Sequence, residues 1–238
     1  MASADYGVID NLLIPEYASW NLKFASNEMI LAYSHKSKFH DKINSTNWLN
    51  ILLNKNVTYG RSDQNSDPCG YRTILTAKLA EKFYNRHGLA DSLLNKDNEH
   101  IRPKEVDLLA LLEAQVIDYL FIYRSVAEQH NLQYLLLPDS INLKKTELSE
   151  FYKTVTVDVS GKSPGKTITH NGEPMVYGIT QITDAPNADL AAKFLKMFFV
   201  DSVGIKIMEQ NGQPSTTPMP SDSYNNIPDF IKQFALPN

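Results

Sequence analysis

Strand-like and helix-like segments alternate through most of this chain, and that alternation limits it to few architectures. "EMILAYS" at 28–34 is apolar and short, as a buried strand is, while "WLNILLN" at 48–54 reads as a short helix. "VTYG" at 57–60 is a strand running into a polar loop. In "GYRTILTAKLAEKFYNRHG" at 70–88, Ile74, Leu75, Leu79 and Phe83 lie near helical spacing, and Gly88 stands where a helix-ending glycine belongs. "RPKEVDLLALLEAQ" at 102–115 predicts a second helix, with Pro103 in its first turn and Val106, Leu109 and Leu112 on one face. "IDYLFIY" at 117–123 is a central strand, apolar on both faces; "SVAEQH" follows as a helix and "LQYLLLP" as a strand.

Beyond these, a polar region at 144–173 leads to a strand pair, "KTVTVDV" with "MVYGITQIT". "NADLAAKFLKMFFVDSVGIKIMEQNG" gives one helix, or two joined near Ser202, and "GQPSTTPMPSDSYNNIP" reads as irregular. The residues therefore predict an α/β fold with a mainly parallel sheet.

Composition removes several functions. A net charge of −4 with no Lys/Arg-rich run gives a nucleic-acid role little support. One cysteine leaves no internal disulfide and no multi-cysteine metal site. No apolar stretch reaches the roughly 18 residues of a membrane span. The six histidines are scattered, and no Ser-His-Asp order, metal spacing or phosphate loop stands out, so no enzyme is expected. "MASADYGVID" has neither the basic nor the apolar part of a secretory signal, so the protein is cytoplasmic or this chain is not the whole product.

The chemistry concentrates in "GRSDQNSDPCGYR", residues 60–72. Asp63, Asn65 and Asp67 mimic the opening of a calcium loop, but the sixth position is Pro68 and the twelfth Ile74, where glycine and glutamate are needed. Asp67 fits better as an N-cap with Pro68 as first helical residue. The N–H groups of Cys69, Gly70 and Tyr71 would then face an anion, with Gly70 leaving room for its approach; plain helix capping explains the same residues. Cys69 by itself reads as a small buried filler. Pro103 and Glu105 repeat the pattern at the next helix start, where ordinary placement of acid at a positive helix end is the plainer reading. Tyr119 and Tyr123 offer phenols, and one at a strand's carboxyl end can point into the crevice where α/β sheets bind ligands; core packing is the alternative for either.

Taken together, "ASADYGVIDNLLIPEYASW", "LAYSHKSKF", "SDPCGYR", "IRPKEVDLLALLE", "IDYLFIYRSVAEQHNLQYLLLP" and "DAPNADLAAKFLKMFFVDSVGIKIMEQNG" are similar to the tungstate/molybdate-binding proteins of ABC importers, the WtpA/ModA kind. The resemblance runs in order through nearly all of residues 2–218. It implies a type II periplasmic binding-protein fold, with two α/β lobes and a hinge: residues 1–34 plus 160–238 in one lobe, 35–159 in the other. It implies further that Asp67 and Glu105 each give a carboxylate oxygen to the metal of a tetrahedral oxyanion. The Cys69 and Glu105 N–H groups and the Tyr123 hydroxyl would hydrogen-bond its oxo groups. Sulfur and phosphorus do not accept such extra ligands, so sulfate and phosphate would be rejected. No cofactor is implied. The implied partners are the oxyanion and an ABC permease, and the implied location is extracytoplasmic, periplasmic or membrane-anchored.

Family members open with a signal, a lipobox cysteine and an "AGSL"-like serine loop that have no counterpart in these 238 residues. The first lobe is thus expected to be incomplete at its N-terminus. The segment between "DPCGYR" and "RPKE" is also shorter than in members of the family. An oxyanion-sensing domain of the cytoplasm, without a transport role, is the competing expectation.

Overall fold

In the computed structural model, which describes residues 1–161, 163 and 165–238, the chain divides into two units, Glu28–Pro174 and Met1–Asn27 with Met175–Asn238. These divisions fall at 27/28 and 174/175, away from the expected 34/35 and 159/160. Two elements account for the difference. The apolar run at 28–34 supplies the strand Met29–Tyr33, which is hydrogen-bonded on both sides inside the larger unit. The hairpin strand Thr156–Ser160 is held there too, by Lys78 Nζ donating to Thr156 O at 2.6 Å and Ser160 N donating to Asn65 Oδ1 at 2.8 Å.

The larger unit is built on a five-stranded sheet ordered Ile101–Arg102, Tyr59–Ser62, Tyr119–Tyr123, Met29–Tyr33, Gln133–Leu136. The first three strands are mutually parallel. Met29–Tyr33 runs antiparallel to both its neighbours, so the sheet is mixed rather than mainly parallel. Its insertion separates Tyr119–Tyr123 from Gln133–Leu136, the two strands joined by the helix Arg124–Gln129. Tyr119–Tyr123 is central, and its side chains alternate between two covered faces, as a strand buried on both sides requires. Leu120 and Ile122 join Ile30, Ala32, Leu108, Leu112, Ile117 and Ala127 in one cluster. Phe121 turns the other way and meets Trp48 and Tyr59 edge-on.

Helix boundaries depart from the apolar spacing. The first long helix runs Pro68–Phe83, with Asp67 as its N-cap. Asn85 takes the left-handed conformation beyond it, φ 48°. Gly88, also left-handed at φ 75°, caps the start of the next helix, Leu89–Asn95, and does not end the first. The expected second helix begins later, at Asp107–Glu113. Residues 101–102 are drawn into the sheet instead, opposite Arg61 and Ser62. Pro103 and Glu105 consequently lie in the turn before the helix, not in its first turn.

In the smaller unit, Val176–Ile179 pairs antiparallel with Ala2–Ser3 on one side and Leu22–Ser26 on the other. "KTVTVDV" therefore does not pair with "MVYGITQIT": its strand Thr156–Ser160 pairs with Thr167–Asn171. Phe24 contacts Phe198 and Phe199 edge-on in the core of the smaller unit. The late apolar segment breaks into Ala188–Leu195, a wider helical turn at Lys196–Val200, and Val203–Gln210, with Ser202 left-handed at the break, φ 58°. Part of the tail read as irregular forms a parallel pair, Met219–Ser221 with Ala235–Pro237.

Candidate functional site

Three parallel strands end side by side, and each leads directly to a polar group singled out in the sequence. Tyr59–Ser62 runs into the loop that ends at Asp67, Ile101–Arg102 into the turn carrying Glu105, and Tyr119–Tyr123 ends on Tyr123 itself. The carboxyl ends of parallel strands are where open α/β sheets place ligands, because loops and helix N-termini converge there. The register between the first two strands is continued by Asp63 N, which donates to Arg102 O at 2.8 Å.

Asp67 is the hub. Its backbone is extended, φ −146° and ψ 130°, which lets the side chain fold back over the helix it precedes. Oδ1 accepts from Cys69 N at 3.0 Å, and Oδ2 accepts from Glu105 N at 2.7 Å. One carboxylate thus joins a helix N-terminus to the neighbouring strand's turn, and it is only 8 % exposed. The two N–H groups assigned to oxo groups by resemblance both donate to Asp67 in this structure.

Glu105, half-buried, brings its carboxyl to Asp67. Its pKa is pushed up to about 7, first by burial and then by the Asp67 side chain, to which it holds a hydrogen bond. Burial would raise Asp67 as well. The hydrogen bonds from the Glu105 side chain and from the Cys69 and Glu105 N–H groups outweigh that, and hold Asp67 below the usual carboxylate range. Two acids so close cannot both ionise cheaply, and the pair shares a proton until the pH nears 7.

Cys69 is fully buried, and its thiol contacts Phe121 O at 3.7 Å. Burial, then Asp67 and Glu105, push that thiol's pKa well up, which fits a core filler and not a nucleophile. Gly70 does not open the backbone to a ligand as expected. A Cβ there would lie 2.5 Å from Asp63 C and O and 2.6 Å from Ser62 O, so the missing side chain makes room for the protein's own loop. The calcium-like residues serve that same loop: Asp63 Oδ1 accepts from Asn65 N at 2.8 Å and from Ser66 Oγ at 3.1 Å.

Of the two tyrosines, Tyr119 sits at the opening end of its strand and donates to Lys38 O at 2.5 Å, which is core packing. Tyr123 sits at the carboxyl end, and Arg72 Nη1 donates to its hydroxyl at 2.7 Å. Sequence reasoning gave Arg72 no role. Its signal was there, because a cation three residues past Cys69 shares that residue's side of the helix.

Against this geometry, comparison with known proteins is decisive about descent. Residues 1–212 match the family described as bacterial extracellular solute-binding protein. The chain belongs to that family. An uncharacterized solute-binding protein of Petrotoga mobilis is 49 % identical over 98 % of this chain and 73 % of its own length. The molybdate/tungstate-binding protein WtpA of Pyrococcus abyssi is 40 % identical over 98 % of this chain and 72 % of its own length.

Among solved structures, the periplasmic molybdate-binding protein of Azotobacter vinelandii superposes with a TM-score of 0.53 at 15 % identity, covering 89 % of this chain and 76 % of that one. The sulfate-binding protein SubI of Mycobacterium tuberculosis gives the same score at 13 % identity, over 99 % of this chain and 73 % of that one. These likenesses establish the fold of type II periplasmic binding proteins. A fold shared by proteins named for two different anions leaves the choice of anion to local chemistry.

Proposed function

We propose that this solute-binding protein captures tungstate or molybdate outside the cytoplasm and delivers it to the permease of an ABC importer, with no catalytic step. The observation that carries the reading is the meeting of Asp67 and Glu105 at the ends of two parallel strands, where Asp67 Oδ2 accepts from Glu105 N at 2.7 Å. Unit charges about 4 Å apart interact by roughly 4 kcal/mol at the effective dielectric of a protein surface, so two acids beside a simple dianion would repel it strongly. The pair makes chemical sense around an ion whose central atom accepts further oxygen ligands, as a hard hexavalent metal does.

On this reading each acid supplies one carboxylate oxygen to the tungsten or molybdenum. Asp67 can do so without losing its cap, since a carboxylate offers about four lone-pair sites and two N–H groups use two of them. Those N–H groups, of Cys69 and Glu105, can each be shared with an oxo group alongside. The Tyr123 hydroxyl donates to another. A relative 40 % identical and named for molybdate and tungstate supports the same ions. The family's description as extracellular supports the location, and no helix among the described residues is long and apolar enough to cross a membrane.

Isothermal titration calorimetry with sodium tungstate, sodium molybdate and sodium sulfate tests the proposal. Tight heats with the first two and none with sulfate are expected. Sulfate binding as strong as tungstate binding would refute it, because sulfur cannot use the two carboxylates.

A further inference from the structure

We propose that Arg72 is a positioning residue of this oxyanion site: its guanidinium holds the Tyr123 hydroxyl so that the phenolic proton is presented to the bound anion. The inference rests on the reading of Tyr123 as a donor to that anion.

Arg72 stands in the second turn of the Pro68–Phe83 helix, on the side that carries Cys69. Its Nη1 lies 2.7 Å from the Tyr123 hydroxyl, and its guanidinium carbon lies 5.5 Å and 5.6 Å from the ring centroids of Tyr71 and Tyr123. Among the described residues Arg72 forms no ion pair with any carboxylate, although arginine's fork suits a carboxylate best. A cation placed against a phenol and two ring faces, and paired with no carboxylate among the described residues, is arranged for something other than an internal salt bridge.

The hydrogen bond has only one possible direction. A guanidinium carries donors and no acceptor, so the phenol oxygen must accept. The phenolic proton lies in the ring plane with two preferred directions, and the incoming N–H takes the lone pair of one of them. The proton is thereby turned to the other, where no acceptor meets it among the described residues. Burial keeps that proton on, holding the Tyr123 pKa well above its ordinary value. A donor whose oxygen already accepts from a cation is polarised and donates more strongly, as in any hydrogen-bonded chain. Arg72 also brings positive charge, unneutralised by an ion pair, to a place where a dianion would meet Asp67 and Glu105.

A double-mutant cycle on the full chain tests this, with tungstate affinity read by calorimetry and folding by thermal melting without tungstate. Arg72→Met and Tyr123→Phe should each weaken tungstate binding by roughly 10- to 100-fold, the cost of one hydrogen bond to a charged acceptor. The double variant should be no weaker than the weaker single one, because both changes remove the same donor. Arg72→Lys, which keeps an N–H for the phenol oxygen, should recover part of the loss. An Arg72→Met variant with unchanged affinity would overturn the proposal, as would losses that multiply in the double variant. If Arg72→Met does not fold, the cycle is run with Arg72→Lys, and multiplying losses overturn it equally. An unaltered chain that binds no tungstate removes the functional reading together with this one. Normal tungstate binding with multiplying losses removes only the role of Arg72.

Discussion

Replacing Glu105 by glutamine should make the protein more stable and a worse binder at the same time. In the folded chain the Glu105 carboxyl titrates at about 7 rather than its ordinary 4.5, raised by burial and then by Asp67. Below pH 4.5 it is protonated in folded and unfolded chains alike, and glutamine imitates it closely. As pH climbs from 4.5 to about 7, the unfolded chain sheds this proton while the folded chain keeps it, and stability falls through that window. Above 7 the folded protein carries the whole cost of a second charge beside Asp67.

That difference corresponds to roughly 3 kcal/mol at 1.36 kcal/mol per unit, and screening at a half-buried site reduces it to about 1–2 kcal/mol. For a chain of this size each kcal/mol moves the melting temperature by roughly 2–4 °C. Glu105→Gln should therefore melt roughly 2–8 °C above the parent at pH 8 and level with it at pH 4.5. Calorimetric scans from pH 4.5 to 8.5 at constant ionic strength would show it. A difference that ignores pH, or a less stable variant at pH 8, would refute the shared-proton account. The same proton must leave when Glu105 ligates the metal. Tungstate binding at pH 6 should release about one proton, measured in buffers of different ionisation enthalpy, and Glu105→Gln should release none.

Asp67→Asn should weaken tungstate binding by at least the roughly 10- to 100-fold that losing even an outer partner of a metal costs, although it removes negative charge from an anion site. Tighter binding in calorimetry would show that Asp67 only caps its helix. Gly70→Ala should destabilise the larger unit by about 1–3 kcal/mol, because a new methyl would overlap the Ser62–Asp63 backbone. An unchanged melting temperature would show that this loop yields freely.

Much of the fold was legible because periodicity reports burial. "EMILAYS" and "IDYLFIY" are apolar on both faces, and each became a strand covered on both sides. The cap chemistry of "SDPCGYR" is equally local: Asp67 can reach only the N–H groups that follow it, so the start of the Pro68–Phe83 helix needed no tertiary information. The late apolar segment read as one helix or as two joined near Ser202, and the structure breaks it there.

What lies far apart in the chain was decided elsewhere. The mixed sheet depends on Met29–Tyr33 entering between two strands some 90 to 100 residues away, and strand direction leaves no trace in a strand's own residues. The delayed second helix has the same origin, since residues 101–102 gain more by pairing with Arg61 and Ser62 than by helix propensity. Gly70 could be marked as special by its type alone, but only the approach of the Ser62–Asp63 backbone says what fills the space beside it. By type and position alone Asp67 and Glu105 read as acids at helix starts, and only the family resemblance implied that they are oxygen ligands. That they share a proton follows from the adjacency of two parallel strands, which brings two acids 38 residues apart within reach of one hydrogen bond. Arg72 shows the same division: its type and its side of the helix were readable, while the tyrosine it holds was supplied by a strand ending 51 residues further on.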